Sequence, residues 1–397
     1  MLSAVHSDRS GRVFVSGDYL AAGYDGAGRV ALTDTIPLPA DARLVPFPRD
    51  AEGFDRGGRP RPLGRDRWAL AAVLPAGHTR THHPAYRDDP AASALEPLPY
   101  TALAAGPDGG LRVAATMTGR AAAGPVADID ALVRAGLRAH PSNKLVKQLA
   151  RCARDYGCAG ARQAFAGTGC AAITVASPPA ERAPDVVAPR WTADELPSET
   201  SAFTPTAREI AELASAHLQA GGSCVSFGRA CEGEPLASVR VIEDAVRAIR
   251  ASFATARIHL ETSGSAPAAL RRLAHSGVSA VTIRLASARS ETYELLHGPT
   301  AHRWGDVRAS LQAASELGLE LEIALLVLPG LTDRPSELET LVELLGTLPR
   351  ATLALRDLAA DPLRALALVP TREKPVGIAG AFARLRADVP TAVGARA

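Results

Sequence analysis

The chain has 397 residues, 47% of them hydrophobic, with 44 Lys and Arg against 42 Asp and Glu. That length and apolar content support a large core, and they suit two or three domains or one barrel with an added domain. A formal net charge of +2 with no long run of one sign excludes nucleic acid or a membrane surface as the main partner, leaving a small molecule or a partner protein.

The opening residues, MLSAVHSDRSGR, contain no apolar leader core, and no stretch has the length and composition of a membrane span. The cytoplasm is the expected compartment. Five cysteines, an odd number, argue against a disulfide framework.

In chain order, residues 1–125 read as a β-rich domain. Short apolar runs (Arg12 to Val15, Trp68 to Leu74, Leu111 to Thr116) alternate with the glycine-bearing turns DRSGR, YDGAGR and GPDGG, which suit hairpins. Residues 50–67, rich in Arg, Gly, Pro and Asp, are predicted to be a mobile loop. His78, His82 and His83 lie close together in AGHTRTHHPAY. They have the chemistry of metal ligands, but in a turn-rich segment they are expected to be solvated.

Residues 126–168 read as a helical connector. A helical pattern from Ile129 to Tyr156 is broken at Pro141 and Ser142, with Leu145, Leu149 and Cys152 on one face. A strand is predicted from Ala172 to Ala176, then a long Pro-rich loop over residues 178–205.

From Thr206 onward, strands and helices alternate. Helix Thr206 to Leu218 leads to strand Ser223 to Phe227, and helix Leu236 to Phe253 to strand Arg257 to Glu261. Helix Pro267 to His275 leads to strand Ser279 to Leu285, and helix Arg303 to Leu317 to strand Leu319 to Leu328. Helix Pro335 to Leu345 precedes strand Ala351 to Leu355. Such alternation implies an α/β fold with right-handed crossovers. With Ala172 to Ala176 as first strand, residues 169–362 form a partial (β/α)6, TIM-like barrel, followed by a C-terminal extension over 363–397. Function in such barrels collects at the carboxyl ends of strands. Those ends carry Glu232 and Glu234, Thr262 and Ser263, Arg284 and Ser287, and Arg356 and Asp357.

These residues carry a resemblance. GEP after the second strand (Gly233, Glu234, Pro235) resembles the motif of the radical S-adenosylmethionine (SAM) superfamily. There the acid and backbone hold the methionyl amine of the cofactor. A carboxylate suits an ammonium, and proline preorganises the turn. LETSGS after the third strand is similar to the family's NTNGS, and VTIRLAS, LLVLPGLTD and LALRDLAADP are similar to its fourth, fifth and sixth strands. LPAGHTRTHHPAY and NKLVKQLARCARDYGC resemble a bacterial branch of the same superfamily. The resemblance implies a radical-SAM-type barrel with Gly233, Glu234, Pro235, Thr262, Ser263 and Ser287 as the cofactor-binding set.

The sequence departs from the family where its chemistry begins. Radical SAM enzymes hold a four-iron cluster on three cysteinates spaced CxxxCxxC. With Cys170 as the first, the other two positions fall on Thr174 and Ser177, and there is no cysteine between Cys170 and Cys224. Cys170 is then the one remnant of that motif, and a 4Fe-4S cluster is expected to be absent. Glu261 and Ser263 replace family asparagines, and Arg284 stands where a small polar residue is usual.

Three readings follow. The chain is a degenerate, cluster-less pseudoenzyme of the radical SAM fold acting as a binding or partner protein. Or it is an active enzyme of that type with atypical ligation, using Cys170 with distant cysteines or with those of a partner chain. Or it is a non-radical enzyme that uses strand-end carboxylates such as Glu232 and Glu234 for acid–base work.

Overall fold

The structure, a computed structural model, describes the chain except residues 90, 93–94, 97, 120–127, 176–200, 202, 229–233, 299–301, 391 and 393–397. Residues 3–117 build an antiparallel sheet of eleven strands with a small two-stranded sheet beside it. Phe47, Ala71, Tyr86 and Tyr100 fill its main core.

Residues 50–67 depart from the sequence expectation of a mobile loop. They form strands Glu52–Phe54 and Pro60–Pro62 paired antiparallel, Phe54 opposite Pro60. Asp55 Oδ1 accepts the backbone N–H groups of Gly57 and Arg59, each at 2.9 Å. That aspartate turn converts an Arg- and Gly-rich stretch into an ordered hairpin.

Three helices follow: α1 (Ile129–Ala139), α2 (Lys144–Arg154) and α3 (Ala159–Ala166). Asn143 caps α2 by accepting from Val146 N at 3.1 Å. Leu145, Leu149 and Cys152 are buried on one face, as their spacing requires.

The barrel strands are numbered here β1 (Cys170–Ile173), β2 (Cys224–Phe227), β3 (Arg257–Thr262), β4 (Ala280–Leu285), β5 (Glu320–Val327) and β6 (Thr352–Asp357). They form one six-stranded sheet in chain order, every pairing parallel. The helices between them are α4 (Ala207–Gln219), α5 (Val239–Ser252), α6 (Pro267–Ser276), α7 (Ser290–His297), α8 (Trp304–Glu316) and α9 (Pro335–Gly346). After β6 come α10 (Pro362–Ala367) and α11 (Ile378–Asp388). Thr206 and Glu209 form a capping box that starts α4.

Alternate strand residues, among them Val225, Phe227, Ile258, Leu260, Val281, Ile283 and Ile323, pack against the helices. Ser226, His259, Thr282 and Glu322 have the opposite parity and face the barrel interior. The sequence reading did not contain α7, which at eight residues is too short to show a period. Its single helix from Leu236 divides into a 3-10 turn at Pro235–Ser238 and α5.

The N-terminal domain docks on the carboxyl ends of β5 and β6. Arg80 is fully buried and donates to the carbonyls of Tyr100 (3.1 Å) and Leu358 (2.5 Å). Its backbone N–H donates to Asp357 Oδ2 at 3.2 Å, and its Nε lies 3.8 Å from Asp357 Oδ1. His83 shares a hydrogen bond with the Pro329 carbonyl at 3.2 Å, and Tyr86 donates to Asp361 at 3.2 Å. His83 is therefore not a solvated turn residue: with Arg80 and Tyr86 it is buried in the interdomain seam. Burial holds its imidazole well below its usual pKa, hence neutral.

Near the same seam, burial raises the Asp333 carboxyl to about 6. Its Oδ1 accepts from Gly330 N at 2.7 Å, while its Oδ2 has no hydrogen-bond partner. A folded-state pKa above the unfolded value adds stability that is complete below about pH 4 and lost as pH rises through about 6. Asp333→Asn removes the buried charge and keeps the acceptor. Thermal melts should show it about 1–2 kcal/mol more stable at pH 7.5, with the wild-type slope between pH 4 and 6 reduced. An unchanged slope would show that Asp333 does not titrate in that window.

Candidate functional site

The site lies at the carboxyl ends of β2, β3 and β4. Gly228, which ends β2, has φ +87°, and a Cβ there would overlap the Glu261 carbonyl oxygen and crowd the Pro235 ring. Only glycine lets the chain turn so closely under the neighbouring strand. Pro235 opens the 3-10 turn, with Glu234 at its N-cap, accepting from Leu236 N at 3.1 Å.

The Glu234 carboxylate crosses to β3. Oε1 accepts from Thr262 Oγ1 at 2.5 Å, and Oε2 accepts from Ser263 N at 2.9 Å and Ser263 Oγ at 2.7 Å. From β4, Arg284 brings Nη2 to 3.7 Å of Oε2. That distance makes an ion pair without a direct hydrogen bond, the loosest of the contacts to this acid. The Glu234 and Arg284 side chains are 24% and 15% exposed, so the pair is partly desolvated.

Of the expected set, Glu234, Pro235, Thr262 and Ser263 are therefore brought together. Gly233 and Glu232 lie outside the described residues. Ser287 is engaged elsewhere: it donates to Glu337 Oε2 at 2.5 Å, and Thr292 donates to Glu337 Oε1 at 2.6 Å. That network ties α7 to α9, because a buried glutamate at the start of α9 needs donors that Ser287 can reach.

Cys170 also needs correction. It is the first residue of β1, directly paired with Cys224, the first of β2, and the two form a disulfide. It therefore sits at the opposite end of the sheet from Glu234, and is not the start of a motif in the loop after β1. That loop begins at Thr174, which is buried, while Ser177 lies outside the described residues. No cysteine occurs between Cys170 and Cys224. Cys152 is buried in α2 and Cys158 precedes α3. Among the described residues no group of three or more His, Cys, Asp or Glu side chains is placed to hold a metal ion.

Two groups escaped the sequence reading. The first is a hydrogen-bonded chain across the barrel interior. Ser226 Oγ lies 2.7 Å from His259 Nδ1, His259 Nε2 lies 2.8 Å from Thr282 Oγ1, and Thr282 donates to Glu322 Oε1 at 3.1 Å. Thr282 gives its one proton to the carboxylate, so it accepts from His259 Nε2–H; for a neutral ring, Nδ1 then accepts from Ser226. The signal was present in the alternation of polar with apolar residues along β2 to β5.

The second group is on α7. Tyr293 stacks on His297 with ring centroids 3.8 Å apart, and its hydroxyl meets His302 Nε2 at 3.1 Å. Burial pushes His297 down to about 4, and His297 Nδ1–H donates to the Tyr293 carbonyl at 2.9 Å. Burial likewise pushes the Tyr293 hydroxyl up, with Arg284 and Glu234 near enough to act on it.

A parallel partial barrel with an acid, two hydroxyls and an arginine at its strand ends defines an α/β barrel protein with a polar site at the usual end. Residues 190–345 match the family described as the radical SAM superfamily. That segment, which covers β2 to β5 and the helices between them, is similar to the superfamily.

Among solved structures, a radical SAM methyltransferase from Sphaerobacter thermophilus is similar at 18% identity, over 49% of this chain and 57% of that one, with TM-score 0.35. Coproporphyrinogen III oxidase from Escherichia coli is similar at 19% identity, over 47% and 44%, with TM-score 0.33. Methylornithine synthase is similar at 14% identity, over 66% and 77%, with TM-score 0.39. The chain spans about half the length of the first two. No curated protein matches it.

Proposed function

We propose that this is a cluster-less member of the radical SAM fold, a binding protein whose strand-end site takes a small ligand carrying an amine and a carboxylate: SAM or a relative. The observation that carries the reading is the Glu234–Arg284 pair, with no metal-holding group of His, Cys, Asp or Glu among the described residues; Cys231 lies outside them, and one thiol holds no cluster. A three-cysteinate cluster does not fit the loop after β1, whose residues include no cysteine, and hydroxyls do not replace thiolates for iron–sulfur ligation.

A ligand with both charges enters by exchange. Its ammonium takes the place of the Arg284 guanidinium beside Glu234 Oε2, and Arg284 turns to the ligand carboxylate. Because an internal ion pair is broken and no iron contributes, affinity is weak. The carboxylate already accepts four hydrogen bonds, which favours a second reading: Glu234 only fastens the turn to β3.

Calorimetry with SAM and S-adenosylhomocysteine decides. Millimolar-range binding is expected, weakened about ten- to a hundredfold in Glu234→Gln by loss of one charge-assisted contact. If neither ligand binds at millimolar concentration while the variant melts lower, the second reading holds. Near-stoichiometric iron and sulfide after anaerobic reconstitution would overturn the cluster-less part.

A further inference from the structure

The Cys170–Cys224 bridge lies outside the strand-end site, and its two sulfurs stand in different surroundings. Cys170 is half-buried and follows the exposed Thr168 and Gly169, so it is reached from the amino end of the sheet. Cys224 is 2% exposed. Arg257 pairs with Cys224 in the β2–β3 register, and its Nη1 donates to Cys224 Sγ at 3.4 Å. The same guanidinium holds Glu320 through Nε at 2.8 Å, which anchors it in place.

A cation beside one sulfur lowers the pKa of that thiol. In thiol–disulfide exchange, the sulfur with the lower pKa is the better leaving group, and the accessible sulfur is the one attacked. The bridge thus has an attack side and a leaving side.

We propose that Cys170–Cys224 is a reversible redox couple that exchanges with a dithiol reductant, Cys170 being the attacked sulfur. The reductant thiolate bonds to Cys170 Sγ, the Cys170–Cys224 bond breaks, and its electron pair leaves on Cys224 as a thiolate facing Arg257. The reductant's second thiolate then attacks its own sulfur in the mixed disulfide, releasing the Cys170 thiolate and an oxidised dithiol. Two electrons pass to the protein, the Cys170 thiolate takes up a proton from water while Arg257 holds Cys224 as the thiolate, and a disulfide oxidant reverses the sequence. The couple opens and closes the covalent tie between the first two barrel strands.

Titration of the full chain with mixtures of reduced and oxidised dithiothreitol, followed by alkylation and peptide mass spectrometry, tests this. Residues 170 and 224 should convert together and reversibly while circular dichroism stays native. Arg257→Gln should slow reduction and shift the equilibrium toward the disulfide by about tenfold, or about 30 mV for a two-electron couple. In Cys224→Ser, Cys170 should form a mixed disulfide with glutathione; in Cys170→Ser, Cys224 should resist alkylation until the chain is denatured. A bridge that reduces only when the chain unfolds would make it a static staple and overturn the proposal. So would an Arg257→Gln titration identical to wild type, or glutathione captured by Cys224 rather than Cys170.

Discussion

Arg80→Ala should lower the unfolding free energy by about 3–5 kcal/mol, the usual cost of stranding one partner of a buried ion pair. Burial opposes the charge on both partners: it lowers the Arg80 pKa and raises the Asp357 carboxyl to about 6, while the Arg80 charge pulls that carboxyl back. Arg80 also supplies donors to Tyr100 and Leu358, so its loss leaves two carbonyls and a carboxylate short of partners. Denaturant melts at pH 7.5 measure the loss. The double variant Arg80→Met with Asp357→Leu should recover at least half of it, since apolar replacements remove the desolvation cost along with the pair. If the double variant is as unstable as the single one, the carbonyl bonds rather than the ion pair hold the seam.

Gly330→Ala should be nearly as damaging. Gly26 and Gly330 both have positive φ, +95° and +88°, and their backbones meet where the N-terminal domain touches the loop after β5. A Cβ on Gly330 would overlap the Gly26 Cα. The variant therefore combines left-handed strain with a backbone clash that no rotamer relieves, together about 2–4 kcal/mol. Limited proteolysis should cut the seam faster in Gly330→Ala than in wild type. Equal rates would mean the interface shifts without cost. Gly346→Ala, at a position with open space around it, is the control.

Much of the barrel was legible in the sequence because its information is local. Apolar alternation, Pro at helix starts and Gly at helix ends placed all six strands and the helices α4, α6, α8 and α9 to within two or three residues. The turn glutamate Glu234 was legible for the same reason: Gly, acid and Pro define a short geometry without help from distant residues. The short elements α3 and α7, and the hairpin at residues 52–62, were not, since fewer than three turns of helix or three-residue strands carry little period.

The tertiary structure alone decided the rest. Parallel register sets Cys170 beside Cys224 across 54 residues of sequence, and no spacing rule reports a pairing between strands. It joined Ser226, His259, Thr282 and Glu322 into one chain, turned Ser287 toward Glu337, and sealed Arg80 and His83 against β5 and β6. Each of these depends on which side of a strand a residue occupies and which strand lies next to it. Such contacts link positions tens to hundreds of residues apart, so the sequence by itself determined the repeating α/β frame and the acid at its turn, and only the packed sheet decided what that acid faces.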